Sequence, residues 1–356
     1  GSSSTLHAPR GGAKNALIRA AQPSGPFENA IALAAPPTFA GVCGNPGAFR
    51  LGLACLGVKS PNSDQEGNVM SDQNKIREMV SDAYAEAVSK PGTGCGCGEA
   101  VPKGVVVKLA GYSREDLAAL PPEAVVNSFG CGNPLAFAEL REGDVVLDLG
   151  SGAGIDILLA GKKVGPRGRA IGIDMTDEMI AKARENIAAA GLSNVEVRKG
   201  IIEALPVETA SVDWVISNCV INLSPDKPRV FAEIARVLKP GGRMSVSDIV
   251  VQELPEEVRR NKALYSSCVA GAIGEEEYIS GLRAAGLVEV EVRERFVYDE
   301  AQMQSFIKSE LPTNAAEFGA CCGGGPAAMD GLATRFAKLL VGQVWSAKFH
   351  ARKPRG

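Results

Sequence analysis

The stretch VVLDLGSGAGIDILLAGKKV, Val145 to Val164, decides the fold. VVLDL is a continuous apolar run, as expected of a strand buried on both faces of a parallel sheet. GSGAG follows at once. Glycines at 150, 152 and 154 permit a tight turn, close approach of backbone to a ligand, and close packing of the next helix. IDILLAGKKV then reads as that helix. Strand, glycine turn and helix in this order open a βαβ unit with its ligand at the turn.

The same rhythm continues outward. RAIGIDM reads as a second strand and DEMIAKARENIAAAG as a helix ended by Gly191. VEVRKG, VDWVISN and RMSVSDIVV read as three more strands, and DKPRVFAEIARVLKPGG as a helix ending at Pro240-Gly241-Gly242. The alternation predicts a doubly wound, Rossmann-like α/β sheet. After about Leu254 it loosens into an added α+β part with helices EEVRRNKALYSSCVAG and EEEYISGLRAAG and the strand segment VEVEVRERFVY. The tail over 311–356 is glycine-rich around Cys321-Cys322 and then helical through GLATRFAKLLVGQVWSAKF. Upstream, MSDQNKIREMVSDAYAEAV predicts a helix capped by Ser71, with apolar or small residues at Ile76, Met79, Val80, Ala83 and Ala87. Residues 1–69 are rich in Gly, Ala, Pro and Ser, and Glu28 is the only acid before Lys59. They read as a disordered extension, either transit-like or introduced by cloning.

The glycine turn alone does not name its ligand. Asp148 stands just before the first glycine, and Asp174 ends the second strand, placed to accept both hydroxyls of a ribose. No Lys-Ser/Thr follows the turn, which excludes a P-loop. NAD or S-adenosylmethionine remains.

Composition narrows the chemistry. The net charge of −3 provides no basic field for nucleic acid or anionic lipid, and no apolar run is long enough to span a bilayer. Nine cysteines accompany only two histidines, His7 and His350, both near the ends of the chain. General-base catalysis by imidazole and a mixed Cys/His zinc site are therefore disfavoured. A chain of this length is not a secreted disulfide scaffold, so the sulfurs point to thiol chemistry in a reducing compartment. Cys43 and Cys55, in the extension, read as incidental. Cys219 follows the fourth strand, beside the expected ligand. Cys131 lies in a glycine turn ahead of the sheet, and Cys268 lies one helix past the last strand of the βαβ series.

Asp148 with the glycine turn, GIIEALP (Gly200–Pro206), SVDWVISN and VLKPGG resembles the class I S-adenosylmethionine-dependent methyltransferases. The resemblance implies a methyl donor held by Phe129, Asp148, Gly150, Ser151, Gly152, Gly154, Asp174, Met175, Ile202, Glu203 and Asn218. SFGCG, DLGSGAG, GIDMT, SNCVINLSPDK and YSSCVAGAIG are more narrowly similar to arsenite S-adenosylmethionine methyltransferases, over most of residues 71–310. That likeness implies that Cys219 and Cys268 hold trivalent arsenic. Cys131 completes the site or pairs with an upstream cysteine, Cys95 or Cys97, between which spacing does not choose. Phe129 departs from the family, which has tyrosine there.

The resemblance divides the chain into the extension 1–69, a donor-binding domain 70–254 with a cysteine-bearing lid, an arsenic-binding cap 255–310 and the tail 311–356. It implies arsenite and methylated arsenicals as substrates, with glutathione or thioredoxin as reductant. Charge and hydropathy point to neither a nucleic-acid nor a membrane partner, and a monomer is expected. The location expected is the cytoplasm, or a plastid or mitochondrion if residues 1–69 are a natural transit segment. Trivalent arsenic is soft and favours thiolate ligands. Held by sulfur it keeps a lone pair and is its own nucleophile, which suits a chain poor in histidine. Asp226 and Lys227 read as a solvated helix start, and Cys321-Cys322 as an additional capture site or a flexible surface tail, the former favoured. The rival readings are methyl transfer to another small molecule, with structural cysteines, and metalloid sequestration without turnover.

Overall fold

The computed structural model describes residues 63–89, 112–126, 130, 132–136, 138–259, 268–310 and 326–356. These all fall in one unit, Ser60–Gly356. The strands are β1 (Val145–Leu149), β2 (Arg169–Asp174), β3 (Val195–Lys199), β4 (Val212–Asn218), β5 (Leu238–Val251), β6 (Val288–Val297) and β7 (Val344–Arg352). They form one seven-stranded sheet in the order β3-β2-β1-β4-β5-β7-β6. The first five strands are parallel, and β7 runs antiparallel between β5 and β6.

The helices are α1 (Ser63–Ser89), α2 (Arg114–Ala118), α3 (Pro122–Val126), α4 (Ile155–Val164), α5 (Asp177–Ala190), α6 (Lys227–Val237), α7 (Glu256–Arg259), α8 (Glu275–Ala284), α9 (Glu300–Glu310) and α10 (Pro326–Leu340). β1 shows why its sequence carries no polar face. Val146 packs with Leu158 of α4 on one side of the sheet, while Leu147 and Leu149 pack with Phe231 and Ile234 of α6 and Leu282 of α8 on the other. A strand covered on both faces has no solvent side to mark with polar residues. No helix among the described residues is long and apolar enough to cross a membrane.

Three readings shift. The helix expected from Met70 begins at Ser63, so the boundary drawn at residue 69 falls inside α1. The helix before β5 ends at Val237, and the chain is already extended at Leu238, ahead of Pro240-Gly241-Gly242. The tail read as helical is helix only to Leu340. Gly342, at φ +76°, turns the chain, and Val344–Arg352 enters the sheet as β7. The added C-terminal part therefore continues the main sheet, and β6, inside the span assigned to a cap, is an edge strand of it. Residues 1–62, including Cys43 and Cys55, lie outside the described residues.

The strand order reverses between β1 and β4, whose neighbours lie on opposite sides. In open parallel sheets the crevice at such a switch, beyond the carboxyl ends of the strands, is where ligands bind.

Candidate functional site

A cleft of about 930 Å³, open to solvent, lies at that switch. Its floor is the turn after β1. Gly150 sits at φ +66°, and a Cβ there would lie 2.5 Å from the Val220 side chain, so only glycine lets the β4 end loop close over the turn. Gly152, at φ +51°, has nothing within 4 Å of where a Cβ would point, which leaves room for a ligand. The Ser151 amide donates to the Ile173 carbonyl at 2.9 Å and ties the turn to β2. Asp174 accepts from the Gly152 and Thr176 amides, both at 2.9 Å. Each carboxylate oxygen keeps acceptor capacity for a vicinal diol.

Met175, Ile202, Glu203, Asn218 and Cys219 line the same cleft with Gly150, Ser151, Gly152 and Asp174. Asp148 and Gly154 do not. Asp148 is buried beneath the turn, and its Oδ2 has no hydrogen-bond partner among the described residues. Gly154 is the N-cap of α4. Phe129 lies outside the described residues.

Burial raises all three acids under the cleft, and mutual repulsion adds to this at Asp148. Burial carries Asp156 to about 6, against the opposing hydrogen bonds of Tyr112 and Asn218. A cationic ligand there would favour the ionised forms that burial disfavours.

Sequence reasoning missed the wall contributed by α1. Arg77, Val80 and Tyr84 line the cleft, and Val80 is fully buried. Arg77 pairs with Glu203 at 3.3 Å, and the Ser224 hydroxyl donates to the same carboxylate at 2.6 Å. The apolar spacing of α1 predicted that one face is covered, but not by what, because partners such as Thr176 and Glu203 lie 95 and 126 residues away along the chain.

The thiols meet at the far wall. Cys219, directly after β4, and Cys268 are both buried, and both belong to an apolar cluster with Val80, Leu223, Ile249 and Val251. The Cys268 sulfhydryl donates to the Cys219 carbonyl. Both residues adopt left-handed backbone, φ +59° at Cys219 and +64° at Cys268. Cys219 is disulfide-bonded, a state not foreseen in the sequence. Cys95, Cys97, Cys131, Cys321 and Cys322 lie outside the described residues.

The helix start behind the thiols is less solvated than expected. Asp226 caps α6 by accepting from the Arg229 amide at 3.2 Å. The Lys227 ammonium folds back on the Asn222 and Ser224 carbonyls, at 3.2 and 3.1 Å. Burial lowers its pKa, while the charges of Asp248 and Cys268 act to raise it.

A parallel sheet extended by an antiparallel β7 between β5 and β6, with a glycine-floored cleft and an acid at the end of β2 beside the switch point, defines a class I S-adenosylmethionine-dependent methyltransferase. Residues 140–286 match the family model described as a methyltransferase domain. The arsenic(III) S-adenosylmethionine methyltransferase of Chlamydomonas reinhardtii superposes with a TM-score of 0.52 at 33% identity, over 68% of this chain and 72% of that one. The arsenite methyltransferase of Halobacterium salinarum is 43% identical over 234 residues, 62% of this chain and 59% of its own length. The human arsenite methyltransferase is 41% identical over 172 residues, 46% of this chain and 45% of its own. The chain belongs to the arsenic(III) S-adenosylmethionine methyltransferase family. It spans well under two thirds of the length of these two curated relatives.

The cleft fits S-adenosylmethionine. The open space over Gly152 leaves room for a close-lying ligand, the remaining acceptor capacity of Asp174 suits a vicinal diol, and carboxylates beside the cleft suit a cation.

Proposed function

We propose that this chain methylates trivalent arsenic, held as a thiolate complex by Cys219 and Cys268 and completed by Cys131. The observation that carries the reading is the meeting of Cys219 and Cys268, distant in sequence, in one buried cluster at the wall of the donor cleft. S-adenosylmethionine, when bound, supplies a methyl carbon activated on a sulfonium, which the arsenic lone pair takes up. Gly150, Gly152, Asp174 and Glu203 hold the donor end, and the thiols fix the acceptor. Alignment of this kind is worth ~7–11 kcal/mol of barrier. Apolar neighbours such as Val80 and Leu223 exclude water from the junction. No side chain has to remove a proton at the moment of transfer.

Arsenic gains a carbon and is oxidised by two electrons. Two protein thiols return those electrons and close as a disulfide, and glutathione or thioredoxin reopens it by exchange. The disulfide at Cys219 supports a role for that sulfur in the cycle. Arsenite and its methylated products are thus the substrates proposed, and Cys95 or Cys97 with Cys131 the further redox sulfurs.

Cys219→Ser and Cys268→Ser test the reading, with arsenite, donor and reduced glutathione supplied and the arsenic products speciated by chromatography. Both variants are expected to lose methylation while keeping affinity for S-adenosylhomocysteine. Methylation at the wild-type rate in either variant would sink the thiol site.

A further inference from the structure

The loop after β4 begins at Cys219 and is tied to β5 at its start and its middle. The Cys219 amide donates to the Ser247 carbonyl at 2.8 Å, and Asn222 Nδ2 donates to the Ile249 carbonyl at 2.6 Å. Its far end is held from another wall of the cleft. The Ser224 hydroxyl donates to Glu203 Oε1 at 2.6 Å and accepts the Asp226 amide at 3.1 Å. Ser224 and Glu203 are both buried, so a lost bond is not made good by bulk water.

The same carboxylate oxygen receives Arg77 of α1, whose Nε and Nη2 each lie 3.3 Å away. The Glu203 carbonyl accepts from Arg229 at 2.8 Å, which fixes the backbone behind that oxygen. α1, the segment after β3 and the loop after β4 thus meet on one atom. Arg77, Glu203, Ser224 and Cys219 all line the donor cleft. One turn along α1, Val80 packs in the apolar cluster that holds Cys219, Leu223 and Cys268. The link from Ser224 back to Cys219 is short and closed. It runs through the single turn Ile221–Leu223, and the Ser224 amide donates to the Ile221 carbonyl at 3.1 Å. A displacement at Ser224 therefore reaches Cys219.

We propose that Ser224 is a positioning residue for methyl transfer. Its hydroxyl, seated on Glu203, sets the loop that begins at Cys219 at its reacting distance from the donor. Arg77 fixes the carboxylate on which that hydroxyl sits. The proposal rests on the reading above that Cys219 holds the arsenic, and Ser224 itself touches neither donor nor arsenic. Alanine at this position removes both hydroxyl bonds and adds no bulk.

The test separates the transfer step from donor binding. The reduced full chain, in excess over labelled S-adenosylmethionine and saturated with arsenite and glutathione, is followed through a single turnover. S-adenosylhomocysteine affinity is measured by calorimetry. Ser224→Ala is expected to slow transfer at least about tenfold, since a misplacement of about 1 Å costs on the order of a hundredfold. Its S-adenosylhomocysteine affinity should stay within about twofold of wild type, the split that marks a loss confined to the transfer step. Arg77→Met should slow the same step. The double variant should be no more than about twofold slower than Ser224→Ala, because both side chains act through one oxygen.

Unchanged transfer in Ser224→Ala beside an inactive Cys219→Ser would overturn the positioning role and leave the thiol reading standing. Wild-type transfer in Cys219→Ser would remove that reading and the positioning role with it. An equal loss of S-adenosylhomocysteine affinity would make the bond a support of the donor cleft, and a lowered melting temperature at unchanged rate would make it a fold contact. Either result overturns the proposal. Fully multiplicative effects in the double variant would show independent contacts and overturn the shared junction. If Ser224→Ala does not fold, Arg77→Met alone should show slower transfer with intact S-adenosylhomocysteine affinity, and unchanged transfer there would count against the proposal.

Discussion

Asp248→Asn should make the protein progressively more stable than the wild type as pH rises from about 4 to about 7. Asp248 is completely buried on β5, and burial pushes its pKa to about 7 despite hydrogen bonds and the charge of Lys227. An unfolded aspartate titrates near ~3.9. Below that value the carboxyl is neutral in both states and costs nothing. Between the two values the unfolded chain releases its proton while the folded chain retains it, so wild-type stability falls as pH rises. Above about 7 both states are charged, and the deficit becomes constant. At ~1.36 kcal/mol per pKa unit the gap amounts to roughly 4 kcal/mol.

Asparagine escapes the penalty at small structural cost. Asp248 Oδ1 alone accepts both the Asn222 side-chain amide at 2.8 Å and the Ile249 amide at 3.0 Å, so an amide oxygen there keeps both bonds. The new NH2 would face the Tyr278 hydroxyl, 3.4 Å from Oδ2. The attraction of Lys227 acts only on the ionised carboxylate and is already contained in the value of about 7, so it adds no separate offset. Urea denaturation of both proteins, reduced, at half-unit pH steps from 4.5 to 8.5 gives the difference in unfolding free energy. Other shifted groups, such as Asp156 and His350, cancel in that difference. A rise of about 2–4 kcal/mol with a plateau above pH 7 is expected. A flat difference would show that Asp248 is not held neutral. That is the outcome expected of a carboxylate already ionised and paired with Lys227, whose titration would lie below the range assayed.

Two further outcomes follow from the donor cleft. Gly150→Ala places a methyl 2.5 Å from Val220 at a backbone φ of +66°, so S-adenosylhomocysteine affinity by calorimetry should fall at least about tenfold, with about 1–3 kcal/mol of stability. Arg77→Met leaves Glu203 buried, with Ser224 as its remaining side-chain partner among the described residues. Hydrogen exchange in α1 should then accelerate about tenfold while the central strands keep their protection; unchanged exchange would mean that the ion pair does not hold the helix.

The legible part of the fold is the part written by local rules. β1, its glycine turn and α4 follow from one stretch, because a strand covered on both faces is apolar throughout and a turn at positive φ requires glycine. β7 was not legible. Its sequence continues the helical spacing of α10, and what makes it a strand is the slot between β5 and β6, whose partners lie about a hundred and about sixty residues away along the chain. The residues read as donor contacts divide similarly. Asp174 and Gly152 stand where the strand-and-turn grammar puts them. Asp148 matches the same grammar but is buried below the cleft, and a pattern match cannot tell a ligand contact from support beneath the floor. Asn218 was legible as a residue at the strand end and lines the cleft, but its hydrogen-bond partners, Tyr112 and Gly132, are set by tertiary packing.

The backbone at the two cysteines bears on why they are cysteines. Cys219 and Cys268 both hold φ near +60°, a conformation that costs an ordinary side chain about 1–2 kcal/mol and glycine almost nothing. Packing alone would be served at lower cost by glycine with a larger neighbour, since a buried cysteine behaves as a small apolar group. The chain instead carries a sulfur at both strained positions and stabilises the geometry locally, through the Cys219 amide on Ser247 and the Cys268 sulfhydryl on the Cys219 carbonyl. Strain retained at two adjoining positions, each at the wall of one ligand cleft or packed beside it, is the pattern expected where side-chain chemistry rather than stability decides the residue. Apolar packing accounts for the burial of both residues but not for that choice of backbone, and the disulfide at Cys219 is itself a bond that only a sulfur at this position can make.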